Sequence, residues 1–192
     1  MKLLLASESI YRKALLQRLR IAFDCASHGV DERAVERGQR SLAEHALHLA
    51  ARKADSLAEE WPEHFILASD QVAALGESML SKPGSVARAV QQLRTLSGNE
   101  HQLHTAMVLR RPDGSRVEHL DTTSLTMREL SQGEIERYVA ADEPLDCGGS
   151  YKIESLGISL FESIEGADFT AITGLPLIEL SKMLRAEGFA IP

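Results

Sequence analysis

The sequence predicts an α/β fold built on a mixed sheet, and three observations lead to this prediction. The chain begins with an apolar run at 3–6, then a serine-rich turn and an amphipathic segment, as in a strand–turn–helix unit. A second apolar run, at 65–68, follows a long helical segment. Beyond residue 100 the hydrophobic period changes to two, which is typical of half-buried hairpin strands. Crossovers in the first half and hairpins in the second predict parallel and antiparallel strand pairs.

Each element in turn has its own signal. Apolar residues recur at helical spacing through 10–19. Ser41 and Glu44 form a capping-box pattern that opens a helix expected to end before Pro62. The strand 65–68 is expected to end at Ser69 and Asp70. The other expected elements are a hairpin turn at 75–77, a helix at 86–96, strands at 103–109 and 115–127 joined by a turn at 112–114, a capped helix after Ser131, short strands flanking Gly157 and Gly166, and a last helix near Pro176.

Composition limits the function classes. The 192 residues carry 21 Lys+Arg and 28 Asp+Glu, a net charge of −7, which argues against a nucleic acid polymer as partner. One domain, 1–192, is expected. Cys25 and Cys147 are too few for a disulfide framework. No apolar run approaches a membrane span, so no membrane partner and a cytoplasmic location are expected. Residues 1–20 nevertheless hold five bases and one acid.

That local basic surplus lies at a helix start. Ser7 and Ser9 precede Arg12 and Lys13, and hydroxyls, free backbone N–H groups and cations together favour a phosphate. A serine N-cap beside a solvated basic turn explains the same residues, and spacing alone does not separate the two interpretations.

Carboxylates form the second set of candidates. Asp70 at the end of a buried strand is suited to metal or base chemistry, although a turn cap is the alternative. Asp31 and Glu32 could complete a magnesium site with Asp70, or lie in a solvated loop. Lys53 and Lys82 are either phosphate ligands or surface charges.

Taken together, these motifs resemble the Maf family of nucleoside triphosphate pyrophosphatases over essentially the whole chain. The stretches that match the family are Leu5-Ala6-Ser7-x-Ser9-x-x-Arg12-Lys13, Val30-Asp31-Glu32, Lys53-Ala54, Ser69-Asp70-Gln71-Val72, Lys82-Pro83, Leu96-Ser97-Gly98, Glu143-Pro144, Gly149-Ser150-Tyr151-Lys152 and Gly174-Leu175-Pro176-Leu177. The resemblance implies an elongated mixed sheet flanked by helices, with a cleft between two lobes, and hydrolysis between the α- and β-phosphates.

At three positions the sequence resembles the branch of the family that hydrolyses 7-methyl-GTP. Tyr11 stands where that branch has an aromatic residue, and Gln71 and Glu154 stand where the dTTP/UTP branch has Thr and Gln. An aromatic ring attracts the cationic methylated guanine, and a carboxylate accepts from its N1–H and 2-amino group. A Maf pyrophosphatase for dTTP, UTP or other modified nucleotides, and a nucleotide-binding regulator of cell division, are the alternatives.

The resemblance also implies roles, a cofactor and partners. Asp70 would be the catalytic proton acceptor, and Glu32 and Asp70 would bind a divalent cation (Mg, Mn or Co). The residues expected to hold the triphosphate are Ser7, Arg12, Lys13, Lys53 and Lys82, and those expected to select the base are Tyr11, Gln71 and Glu154. The partner would be a small-molecule nucleoside triphosphate, and a homodimer is an option because dimers are usual in the family. Ile10 and Lys13 depart from the family's usual Pro and Arg; the lysine keeps the charge but not bidentate phosphate geometry.

Overall fold

A computed structural model describes the whole chain, Met1–Pro192, as one seven-stranded sheet with five α-helices. The strands are β1 (Lys2–Ala6), β2 (Asp24–Ala26), β3 (His64–Leu75), β4 (Ser78–Leu80), β5 (Glu100–Arg110), β6 (Arg116–Met127) and β7 (Phe161–Glu165). The helices are α1 (Ile10–Gln17), α2 (Leu42–Asp55), α3 (Val86–Leu96), α4 (Gln132–Asp142) and α5 (Leu177–Ala186).

The sheet is mixed, as the sequence predicts. Its strand order is β2-β1-β3-β5-β6-β7, and β4 pairs with β3 outside this path. β1 runs parallel to both β2 and β3, whereas β4 and β7 run antiparallel to β3 and β6. The parallel pairs need long crossovers, which α1 and α2 provide, and the β3–β4 turn is the expected two-residue hairpin at Gly76 and Glu77.

The prediction that a buried strand ends at Asp70 is wrong. β3 continues to Leu75, so Asp70 lies inside the strand. The pairing explains the difference, because β1 accompanies β3 only from His64 to Leu67, after which α1 begins. The hairpin with β4 then keeps β3 extended. Asp70 therefore lies just beyond the end of the neighbouring strand β1, and not beyond the end of its own.

α2 ends at Asp55, before Pro62 as the sequence predicts, with Ser56 as the C-cap. The strand expected between Gly157 and Gly166 is β7, but the strand expected before Gly157 is absent, and the chain from Leu156 to Leu160 is a 3₁₀ turn. A Cβ on Gly157 would lie 2.3 Å from the carbonyl oxygen of Lys152, so only glycine permits this close backbone approach. β2 has only three residues and no clear hydrophobic signal, and the sequence did not predict it.

The chain divides into two compact units. Unit 1 comprises Met1–Gln71, Thr105–Asp121 and Asp168–Pro192. Its core is formed by leucines and methionines of β1, α1, β3, β5 and α5, such as Leu5, Leu16, Leu67, Met107 and Leu180. β1 is almost fully buried because α-helical crossovers cover it, which is why it reads as a continuous apolar run.

Unit 2 comprises Val72–His104 and Thr122–Ala167. Here α3 packs against α4, and α4 packs against the 3₁₀ turn at Leu156–Leu160. Both capping boxes that the sequence predicts are present, one on α2 in unit 1 and one on α4 in unit 2. None of the helices is both long enough and apolar enough to cross a membrane.

Candidate active site

Unit 1 contains a buried lysine between two carboxylates. Lys53 Nζ lies 2.6 Å from Asp70 Oδ1 and 2.7 Å from Glu32 Oε1. The Lys53 side chain is only 2% exposed and that of Asp70 6%, while Glu32 reaches the cluster from a position that is 43% exposed. Charges are rarely buried unless they are paired, so this ion-pair cluster marks a specialised site.

Three separate elements bring these side chains together. Asp70 comes from the middle of β3, and Lys53 comes from the last turn of α2. Glu32 begins a short 3₁₀ turn, Glu32–Ala34. Asp31 caps that turn by accepting from the N–H of Arg33 at 3.1 Å, so the two acids predicted as a pair have different roles: Asp31 orders the backbone and Glu32 reaches the cluster.

The loop before Glu32 is attached to α2. Ser56 Oγ lies 2.8 Å from the carbonyl oxygen of His28 and 2.9 Å from that of Lys53. His28 Nδ1 accepts from the N–H of Val30 at 3.1 Å, which leaves Nε2 as the protonated nitrogen in the neutral ring. Nε2 lies 3.8 Å from Glu32 Oε1. Burial, and then the charge of Lys53, lower the pKa of His28.

Three of the predicted phosphate residues, Ser7, Arg12 and Lys13, lie at the start of α1, and Ser9 caps this helix. Ser9 Oγ accepts from the N–H of Arg12 at 3.3 Å, and Ser7 Oγ accepts from the N–H of Ser9 at 3.2 Å. Burial lowers the pKa of Arg12, while the charges of Asp70 and Glu32 oppose that shift. Arg12 is therefore close enough to interact electrostatically with both carboxylates.

The direction of the Arg12 side chain is set by a backbone carbonyl. Its Nε donates to the Gly174 oxygen at 3.1 Å, so both terminal amino groups stay available for an anion. Gly174 has φ +101°, and a Cβ there would lie 3.1 Å from Arg12 Nε. The positive φ favours glycine, and a Cβ there would also crowd the Arg12 side chain.

Residues on either side of Asp70 hold the loop that contains Gly174. Ser69 Oγ donates to the Gly174 oxygen at 2.7 Å. Gln71 Nε2 lies 2.9–3.0 Å from Thr105 Oγ1 and from the carbonyl oxygens of Ala171 and Ile172. Thr105 Oγ1 donates its own proton to Ala171, so it can only accept from Gln71. The Gln71 amide is thereby fixed with its nitrogen in this network, and only Oε1 remains for a ligand.

The remaining predicted residues lie elsewhere on the chain. Tyr11 is half-buried and Lys13 exposed, both in the first turn of α1. Lys82 is exposed between β4 and α3 in unit 2, and Glu154 is exposed in the turn after Tyr151 in the same unit. The structure thus joins Glu32, Lys53 and Asp70 by direct contact.

Several contributors were not singled out by sequence patterns. The Gly174 carbonyl could have been suspected, since Gly174 begins one of the family stretches. His28 lies two residues before another such stretch, whereas Ser69 belongs to the stretch that contains Asp70 but was given no role of its own. Thr105 gives no sequence signal at all, because it looks like any alternating strand residue.

The carboxylates fit a divalent metal that also binds phosphate. Glu32 Oε1 and Asp70 Oδ1 converge on one cation, and one or two carboxylates plus substrate phosphates are the usual Mg²⁺ ligands in such enzymes. No cluster of three or more His, Cys, Asp or Glu side chains forms a complete metal cage. A metal here would take its other ligands from phosphate and water.

The chain is similar to known proteins over nearly its whole length. The family model for Maf-like proteins matches residues 2–187. A 7-methyl-GTP pyrophosphatase of Pseudomonas putida is 46% identical over 191 residues, covering 99% of this chain and 98% of that protein. Proteins of the same name in Xanthomonas axonopodis pv. citri and Pseudomonas aeruginosa are 46% and 44% identical, and each comparison covers at least 98% of both chains.

Solved structures support the fold. The Ham1 protein of Staphylococcus aureus superposes with a TM-score of 0.54 at 14% identity, covering 97% of this chain and 100% of that one. A HAM1 protein from Coxiella burnetii gives a TM-score of 0.52 at 14% identity, over 97% and 99%. The α/β architecture with a mixed sheet and flanking helices is therefore confirmed.

Proposed function

The chain belongs to the Maf family, and we propose on this premise that it is a nucleotide pyrophosphatase, a hydrolase that converts 7-methyl-GTP to 7-methyl-GMP and pyrophosphate. The observation that carries the proposal is the buried Glu32–Lys53–Asp70 cluster, in which two carboxylates share one ammonium. Relatives of 44–46% identity that bear this name support the choice of substrate. The enzyme would remove modified nucleotides from the cell's nucleotide pool.

Asp70 is the proton acceptor in the proposed reaction. Its Oδ1 is engaged by Lys53, and Oδ2 takes no part in that ion pair. A carboxylate held at one oxygen keeps a fixed direction, so the other oxygen can take a proton from the water that attacks the α-phosphorus. Cleavage of the α–β bond then sends the electron pair to the departing pyrophosphate.

Cations stabilise that leaving group. Arg12 offers two terminal amino groups, because its Nε is already occupied by Gly174. Lys13, Lys53 and Lys82 are the other proposed triphosphate ligands, together with Ser7 at the start of α1. These cations offset the negative charge that grows on pyrophosphate in the transition state.

Glu32 and Asp70 would hold the divalent ion, for which Mg, Mn and Co are the candidates. When bound, the ion would polarise the phosphate and neutralise part of its charge. The two carboxylates already converge on a cation, which supports this assignment.

Base selection is assigned to Tyr11, Gln71 and Glu154. Gln71 can contact a base only through its Oε1, since its nitrogen is saturated by three acceptors. An acceptor fits the N1–H and 2-amino donors of guanine. Glu154 would accept from the same donor pair, and Tyr11 would stack on the cationic ring.

A panel of nucleoside triphosphates tests the proposal. Pyrophosphate release is measured with 7-methyl-GTP, GTP, UTP and dTTP, each with Mg²⁺, Mn²⁺ and Co²⁺. The highest kcat/KM is expected for 7-methyl-GTP. A preference for UTP or dTTP would assign the chain to the other branch, and binding without turnover at any metal would favour a regulatory role.

Glu154→Gln gives a narrower test of base selection. The variant should lower kcat/KM for 7-methyl-GTP while leaving that for UTP nearly unchanged, because only the methylated purine carries the matching charge and donors. An unchanged ratio would remove Glu154 from this role. The homodimer and the cytoplasmic location stay predictions, which sedimentation and fractionation would address.

A further inference from the structure

Lys53 occupies an unusual position for a phosphate ligand. Its ammonium contacts the two oxygens that are proposed to bind metal, Glu32 Oε1 and Asp70 Oδ1, at 2.7 and 2.6 Å. An ammonium has three donors, and two of them are used here. A divalent ion on the same two oxygens would lie in direct contact range of this ammonium, and the two cations would repel each other strongly.

The Lys53 side chain can move to relieve this repulsion, whereas its backbone is held in place. Its backbone carbonyl lies within hydrogen-bond distance of Ser56 Oγ, which also lies 2.8 Å from the His28 carbonyl oxygen. The four-carbon stem has rotatable bonds and ends in a compact charge. Arg12 lies close enough to interact with both carboxylates, so an anion bound by Arg12 would be available to the displaced ammonium.

We propose that Lys53 is an internal counter-ion that competes with the divalent metal for Glu32 and Asp70 and transfers to the polyphosphate when the metal binds. The proposal rests on the metal site of the proposed function. In the free protein Lys53 holds the two carboxylates together and weakens metal binding. Polyphosphate removes this competition by accepting the ammonium, so metal and polyphosphate raise each other's affinity by the same factor, as linkage requires.

The test measures Mn²⁺ binding to the protein alone, by calorimetry and by electron paramagnetic resonance. Lys53→Met should bind Mn²⁺ about tenfold or more tightly than the wild type, since like charges a few ångströms apart repel by several RT even at a protein-like dielectric. Lys2→Met is the matched control. Lys2 also pairs with a carboxylate, Glu63 at 2.7 Å, and its substitution removes the same charge from an exposed position of unit 1. The Mn²⁺ affinity of Lys2→Met should therefore stay within about twofold of wild type.

A double variant shows where the gain arises. Lys53→Met combined with Glu32→Gln should lose most of the added affinity, because one of the two competing oxygens is gone. Unchanged or weaker Mn²⁺ binding by Lys53→Met would overturn the proposal, as would a gain that persists in the double variant.

A measurement on the wild type covers the case in which Lys53→Met does not fold. The Nζ and Cε resonances of Lys53 are followed by NMR during a Mg²⁺ titration, with those of Lys2 as the reference. The Lys53 signals should change with saturation while the Lys2 signals stay constant. Saturation with Mg²⁺ and no change at Lys53 would contradict the competition.

These binding measurements contain no nucleotide, so they separate this inference from the proposed activity. If the protein shows the Lys53 effect but hydrolyses no nucleotide, the counter-ion proposal stands and the proposed pyrophosphatase activity is wrong. If the protein hydrolyses 7-methyl-GTP but Lys53→Met does not change Mn²⁺ binding, the proposed activity stands and the counter-ion proposal is wrong.

Discussion

Unit 1 buries an ion-pair cluster, whereas the buried polar side chains of unit 2 are neutral. In unit 1 the cluster of Glu32, Lys53 and Asp70 is ionic. In unit 2 the corresponding buried polar group is neutral: His101, 1% exposed, has its Nε2 2.9 Å from the Tyr151 hydroxyl. Ion pairs inside a protein are weak evidence for stability, because desolvation offsets their attraction, whereas a neutral hydrogen bond carries a smaller desolvation cost. The contrast suggests that the buried ion pairs of this chain serve chemistry and that buried polar groups held by hydrogen bonds alone serve architecture.

The largest effect is expected from a substitution in the ion-pair cluster of unit 1. Asp70→Asn should lower kcat by roughly a thousandfold, since an amide cannot accept the proton of the attacking water. Asp55→Asn, which changes an exposed carboxylate of the same unit that pairs with Arg110 and Arg116, is the control and should retain kcat within about twofold. Steady-state pyrophosphate release measures both. Residual activity above about a tenth of wild type for Asp70→Asn is incompatible with a general base.

A second buried carboxylate of unit 1, Asp168, tests whether a buried polar group without an ion pair serves architecture. Asp168 is 3% exposed and has no lysine or arginine partner in an ion pair; it accepts from the N–H and hydroxyl of Thr170 and from the N–H of Ile178 near the start of α5. Asp168→Ala should lower the free energy of unfolding by roughly 4 kcal/mol, because three donors lose a charged acceptor. Urea denaturation measures this loss. A change below about 1 kcal/mol would mean that water replaces the carboxylate.

The neutral pair of unit 2 predicts a pH effect. Burial lowers the pKa of His101 to about 4, and its Nδ1 has no hydrogen-bond partner. The unfolded chain therefore takes up the proton first, so stability falls as the pH drops from about 6.5 to about 4, by at most about 3 kcal/mol. Denaturation at pH 7, 5.5 and 4.5 should show a smaller pH dependence in His101→Gln. Equal slopes for both proteins would place the histidine in contact with water.

The smallest effects are expected from substitutions at the helix N-caps, one in each unit. Each has a helix opened by a capping box, Ser41 with Glu44 in unit 1 and Ser131 with Glu134 in unit 2. Ser41→Ala and Ser131→Ala should each cost about 1 kcal/mol of unfolding free energy, since each serine accepts one backbone N–H. Urea melting measures both losses; two transitions, each shifted by only one of the substitutions, would show that the units do not unfold in one cooperative step.

Much of the fold could be predicted because local signals decide it. The caps at Ser41 and Ser131 and the period of helix 86–96 depend on neighbours in sequence, and these elements appear as expected. The length of β3 depends instead on its partners: β1 stops beside Leu67, and β4 keeps the strand extended. No pattern within β3 carries that information.

The site was predictable as a set of residues but not as an arrangement. The family stretches contain Glu32, Lys53 and Asp70, yet no sequence signal indicates that the lysine lies between the two acids. That contact joins positions 17 and 21 residues from Lys53, on three different elements. The support from Thr105 was invisible for the same reason, and although Gly174 begins a family stretch, its contact with Arg12 exists only after the chain has folded.

The hydrogen bond from Arg12 to the Gly174 carbonyl has a consequence for the divergence of this enzyme. The acceptor is a main-chain atom, so no substitution can delete it, and its position also depends on Ser69. Side chains around the base can change one at a time and alter which nucleotide is chosen. The direction of the arginine cannot be changed in that way, since it requires a rebuilt loop. Specificity for the base could therefore evolve in small steps while the direction of the arginine that is proposed to bind the phosphates stays fixed.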